Sequence, residues 1–103
     1  MRMISITDGY NQRKRIGELR GSTFRMVKRK DKHFLRNLSA WAVDKNAFDE
    51  HQEALTFIVE EEESGIHYIA ARSVFLEHGK EIQYGGHGKQ IALPLKYWTI
   101  FKI

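Results

Sequence analysis

Two strongly β-prone runs, Thr56-Phe57-Ile58-Val59 and Ile66-His67-Tyr68-Ile69-Ala70, flank a polar stretch that ends in Ser64-Gly65. β-Branched and aromatic residues fill a pleated, half-buried surface, and Ser-Gly supplies the backbone freedom of a reversal. The segment therefore reads as an antiparallel hairpin over 56–70. A lone hairpin is marginal in water and needs further strands or a helix over its apolar face. The rest of the chain offers them. Thr23 to Lys28 alternates polar and apolar with period two, and His33-Phe34-Leu35 and Leu38 to Val43 are apolar. Glu81–Tyr84 and Gln90–Leu93 stand on either side of Gly85-Gly86-His87-Gly88, and Tyr97–Phe101 is dense in aromatic and β-branched residues.

Helical signals are short. Ala47, Phe48, His51 and Leu55 share one helical face behind Asp44, which predicts a helix from about Lys45 to Ala54 capped by the Asp44 carboxylate. Ser73 predicts the start of a helical turn over Val74–His78, with Gly79 in the C-terminal cap position. Pro94, the single proline, ends the strand before it. Strands joined by such short helices predict an α+β fold. Its expected form is a small antiparallel sheet of about five strands around the central 56–70 hairpin, with one or two short helices. No Gly/Ser-rich linker and no repeat of useful length interrupts the chain, so residues 1–103 read as a single domain. The polar, glycine-punctuated stretch 7–21 reads as a flexible basic loop or arm.

Several function classes are excluded or weakened by what is missing. There is no cysteine, so disulfides, thiol catalysis and cysteine-zinc sites are out. No apolar run approaches the roughly 20 residues that span a bilayer, and the charged, short Met1–Ile6 shows no apolar signal region, so a cytoplasmic location without membrane contact is expected. No GxSxG elbow or P-loop spacing occurs, and no histidine pair has the HxH, HxxxH or HExxH spacing of a metal site. The expectation is a protein without cofactor, without metal and without catalytic residues. His33, His51, His67, His78 and His87 are expected in separate places.

Charge carries the functional content. Residues 1–37 hold eleven Lys and Arg against Asp8, Glu18 and Asp31, a net +8, whereas residues 38–103 net −4. A basic third of this kind is either a solvated face, in part paired with the acidic run Glu60–Glu63, or a polyanion-binding patch that displaces counterions from phosphates. The second reading selects Arg13, Lys14, Arg15, Arg25, Lys28, Arg29, Lys30 and Lys32 as phosphate contacts, interleaved with Phe24, Met26, His33 and Phe34 as stacking groups. Gly86, His87, Gly88 and Lys89 form a candidate anion-binding loop; its rival reading is a hairpin turn that needs positive φ at more than one position. Trp41 and Trp98, in apolar contexts, are expected in the core.

The expected function is thus a non-enzymatic nucleic-acid-binding accessory protein with DNA or RNA as partner. The alternative is a small protein-interaction or inhibitor module, of a mobile-element kind, docking on a larger macromolecular machine through a protein partner, with Glu60 to Glu63 mimicking phosphate. A metal-dependent nuclease using some of the histidines and glutamates, with cleavage lost on His87→Ala or Glu62→Ala, is the minor alternative. The strings His33–Asp44 and Gly85–Trp98 are dense and unusual, yet neither contains a motif with a defined chemical mechanism.

Overall fold

The computed structural model describes residues 2–5 and 24–102. The arm expected over 7–21, with Arg13, Lys14 and Arg15, lies outside the described residues. The protein is α+β, but its strands form two sheets rather than one. One sheet has the order β1 (Arg2–Ser5), β9 (Thr99–Lys102), β6 (Ile66–Ala71), β5 (Thr56–Glu61), β2 (Phe24–Met26). The other has the order β3 (Lys32–Leu35), β4 (Ala40–Asp44), β8 (Lys89–Pro94), β7 (Lys80–Gln83). The expected 56–70 hairpin is β5–β6, in register from Thr56↔Ala71 to Glu61↔Ile66. The sheet around it is not purely antiparallel, because β1 pairs with β9 and β2 with β5 in parallel.

The single expected sheet fails for a physical reason: the chain changes sheet after each hairpin. β3–β4, β5–β6 and β7–β8 are hairpins that alternate between the sheets. Helix α1 (Lys45–Glu50), helix α2 (Arg72–His78) and the 3-10 turn Leu95–Tyr97 carry the chain across after β4, β6 and β8. In all three places the fourth residue beyond the strand is a large aromatic: Phe48, Phe75 and Trp98. All three are at most 2% exposed, and their rings touch in a row, Phe48 to Phe75 and Phe75 to Trp98 each at 5.3 Å. Against them pack the inward residues of both sheets, Phe57, Val59, Tyr68 and Ile100 from the first and Trp41, Val43, Ile91 and Leu93 from the second. Both tryptophans are buried as expected, and the Trp98 indole N–H donates to the Leu93 carbonyl at 2.8 Å.

Helix α1 begins as expected, with the Ala47 N–H donating to Asp44 Oδ2 at 3.0 Å, but it stops at Glu50. Arg72 explains the early stop. Its guanidinium donates to the carbonyls of Phe48, His51 and Ala54 at 3.0, 2.6 and 2.8 Å, and lies 4.2 Å from the centre of the Phe48 ring. The side chain thereby satisfies the orphan carbonyls of the helix end. Helix α2 starts one residue before Ser73, without a side-chain cap. Gly79 follows it at φ −70°, not in the left-handed cap conformation. Glycine is needed there by close approach instead: a Cβ would meet the Phe75 carbonyl and the Ile91 side chain.

Two stability measurements follow. Phe75→Ala is expected to cost about 3–5 kcal/mol, read from the urea midpoint, while Leu76→Ala, one residue along and 70% exposed, changes it by less than about 0.5 kcal/mol. Arg72→Lys keeps the charge and loses the planar fork, and is expected to cost about 1–3 kcal/mol.

Candidate nucleic-acid interface

The register of the second sheet brings two separate stretches of sequence to one end. Lys32 pairs with Val43, Asp44 with Gln90, and Lys89 with Gln83. The start of β3, the end of β4, the start of β8 and the end of β7 therefore lie side by side. The 3-10 turn Arg29–Asp31 enters this end just before β3, and the 3-10 turn Gly85–His87 closes the β7–β8 hairpin at the same end.

The glycine loop is built as a tight reversal. Gly85 and Gly88 have φ of +49° and +77°, which L side chains rarely adopt, so the expected turn with two positive φ values is present. The Tyr84 N–H donates to the Gly88 carbonyl and the His87 N–H to the Tyr84 carbonyl, both at 2.9 Å. Nothing lies within 4 Å of where a Cβ would stand on Gly85 or Gly86, so the backbone there is open to close approach. Beneath the loop, Gln90 is 1% exposed and donates from Nε2 to the His87 carbonyl at 3.1 Å and to Asp44 Oδ1 at 3.2 Å. Both partners are acceptors, which fixes the amide orientation and leaves Gln90 Oε1 without a partner among the described residues.

Two histidines that were expected apart are in contact. The His33 ring, at the start of β3, lies 4.3 Å from the His87 ring and 5.2 Å from Tyr84, and Tyr84 stacks on His87 at 5.3 Å. Burial, and then the neighbouring His87, hold the His33 imidazolium below its ordinary value of 6.5, against the opposing pull of Asp44 and Asp31. The other histidines do stand alone: His51 beside Glu53, His67 beside Glu60, and His78 stacked on Tyr97 at 4.0 Å.

The basic residues divide by partner. Arg29 Nε meets Glu62 at 2.8 Å, and Lys32 Nζ donates to the Glu60 carbonyl and lies 3.6 Å from Glu62. Lys89 is 3.7 Å from Glu81. Lys28 and Lys30 are exposed and make no ion pair among the described residues. Arg25 is half-buried on β2, in the first sheet, where it contributes to holding the Glu53 carboxyl below the usual range, behind a backbone hydrogen bond and His51. Phe24 and Met26 belong to that same strand, away from the ring cluster. In the acidic run, Glu60 and Glu62 are engaged with His67, Arg29 and Lys32, whereas Glu61 and Glu63 make no ion pair among the described residues. Among the described residues no group of three or more His, Asp or Glu side chains is arranged to hold a metal ion, and no helix is long and apolar enough to cross a membrane. His33, Tyr84 and Gln90 are the residues that sequence reasoning left out of the anion loop. No family model, curated protein or solved structure matches the chain.

The perturbed histidine sets a pH dependence. The unfolded chain protonates His33 near 6.5 and the folded protein only at lower pH. Folding therefore releases protons below that value, and stability falls as the pH is lowered through it. In thermal melts, the stability lost between pH 7.5 and 5 is expected to be smaller in His33→Gln than in the wild type.

Proposed function

We propose that the protein is a non-enzymatic nucleic-acid-binding accessory protein whose contact surface is the end of the second sheet. One observation supports this reading above the others: the 4.3 Å contact between His33 and His87 joins the basic turn to the glycine loop. The two candidate sites thus form a single surface, with lysines that make no ion pair among the described residues on one side and exposed backbone on the other. Lys28 and Lys30 neutralise phosphates, His33, Tyr84 and His87 offer ring faces to bases, and Gly85-Gly86 admits the sugar-phosphate chain without steric conflict. Arg13, Lys14 and Arg15 add to the charge of the same third of the sequence. Arg29 and Lys32 serve it less directly, because Glu62 already holds them. The alternative, a protein-docking module, is favoured by one different observation, the 70% exposure of Leu76.

The test is fluorescence anisotropy with single-stranded and duplex oligonucleotides at two salt concentrations, with and without Mg²⁺. Micromolar or tighter binding is expected. The two lysine contacts give a log–log salt slope of about −1.4 on single strands. The double variant Lys28→Glu/Lys30→Glu is expected to weaken binding at least tenfold and to flatten the slope. Absence of binding at low salt overturns the reading and moves the search to a protein partner that survives nuclease treatment.

A further inference from the structure

We propose that the hollow beside the ring cluster takes one unpaired base, so that the nucleic acid recognised is single-stranded. This rests on the nucleic-acid reading above and makes it more specific. The hollow has a volume of about 380 Å³ and is walled by Phe34, Arg36, Asn37, Leu38, Ile82 and Tyr84. That is within the range of sites that enclose small ligands. Leu38 and Tyr84 are 48% and 37% exposed, so two of the five large apolar side chains left in solvent among the described residues border this one concavity, while the Phe34 ring turns to the other face against Trp41.

Its origin lies in the outer face of the second sheet. Ala40, Ala42 and Ala92 are at most 2% exposed there, with Leu35 and Ile82 packed over them. The methyl groups leave a low floor between its two edge strands, β3 and β7, which wall the same hollow although β4 and β8 lie between them.

The chemistry of the wall selects the occupant. It holds one cation, Arg36, and no carboxylate, and Arg36 makes no ion pair among the described residues. An anionic ligand is therefore complementary. The Tyr84 ring supplies aromatic area, and the Asn37 amide, with both donors and an acceptor, suits the edge of a base. Tyr84 belongs both to this wall and to the cluster with His33 and His87. A base seated in the hollow thus lies beside the surface proposed to hold phosphate. A paired base cannot enter without leaving its stack, so duplex is disfavoured.

The test compares an oligomer of eight thymidines with an abasic sugar-phosphate chain of the same length and with duplex, using the full chain and two variants, Leu38→Glu and Arg36→Gln. Both substituted residues are exposed, and circular dichroism checks that the variants fold. The thymidine oligomer is expected to bind at least tenfold more tightly than the abasic chain, in line with about 1–3 kcal/mol per stacked base. Leu38→Glu is expected to remove most of that difference and leave abasic binding within about twofold, and Arg36→Gln to reduce thymidine binding several-fold. Equal binding of the thymidine and abasic chains, or no effect of Leu38→Glu, overturns the base site and leaves the nucleic-acid reading standing. Binding of neither overturns both. A Leu- and Glu-rich peptide that shifts the Leu38 and Tyr84 NMR resonances while no oligomer binds assigns the hollow to protein instead, and also overturns the base site.

Discussion

The architecture depends on three aromatic side chains placed where the chain changes sheet. A strand cannot turn through the core and start again on the other side without exposing its backbone polar groups. A helical turn satisfies some of them internally while it redirects the chain. It also returns the fourth residue towards the interior, and at Phe48, Phe75 and Trp98 that residue is aromatic and buried. Because the three rings touch one another in sequence, each crossing fixes the next. Arg72 adds a second lock at the same place. It holds the end of α1 through the Phe48 and His51 carbonyls, and the segment after it through Ala54, while its flat face rests on Phe48, so the helix that leaves one sheet is tied to the residue that opens the helix leaving the other. A protein of this size without disulfides needs such dense aromatic contact, since its core is small relative to its surface.

The same alternation that fills the core shapes the outer face. With Trp41, Val43, Ile91 and Leu93 turned inward, period two sends Ala40, Ala42, Gln90 and Ala92 to the other side. Alanine there carries little bulk, and Leu35 and Ile82 close over it. Across this low surface His33 of one edge strand meets Tyr84 and His87 from the turn that follows the other. Larger side chains at positions 42 and 92 would hold the edges apart and separate the basic turn from the glycine loop. The surface chemistry of the second sheet is therefore set by the size of residues that never reach solvent.

Local features were legible in the sequence and long-range ones were not. The 56–70 hairpin, the Asp44 cap, the two positive φ values around Gly86-His87 and the burial of both tryptophans depend on residues a few positions apart. The division into two sheets depends on which strands pair across the chain. Strand patterns in residues 40–44 and 89–94 do not say that these segments pair with each other rather than with the central hairpin. The parallel pairing of β2 with β5 is equally invisible, as no short turn announces it. The early end of α1 is decided by Arg72, more than twenty residues away in sequence. Gly79 shows the reverse case: glycine was placed correctly at a helix end, yet steric approach to Ile91 requires it there, not a left-handed backbone. His33 carried no motif. Its contact with His87 depends on how β3 and the β7–β8 turn meet across the sheet, which single-strand periodicity does not encode.

Charge pairing bears on how a polyanion would use this surface. Glu62 holds Arg29 and Lys32 against the far end of the central hairpin. Exposed pairs of this kind contribute little stability, typically about 1 kcal/mol or less, but they tether the turn that carries Lys28 and Lys30. Those two lysines therefore project from a backbone that is already anchored, and on the nucleic-acid reading less ordering entropy would oppose their contact with phosphate. His33 works in the opposite sense. Burial and the neighbouring His87 disfavour its imidazolium form. In the proposed complex, a ligand phosphate against that ring would supply the countercharge and favour the protonated form. In that division, the lysines would set how strongly a polyanion is attracted and the rings where along its backbone it is held.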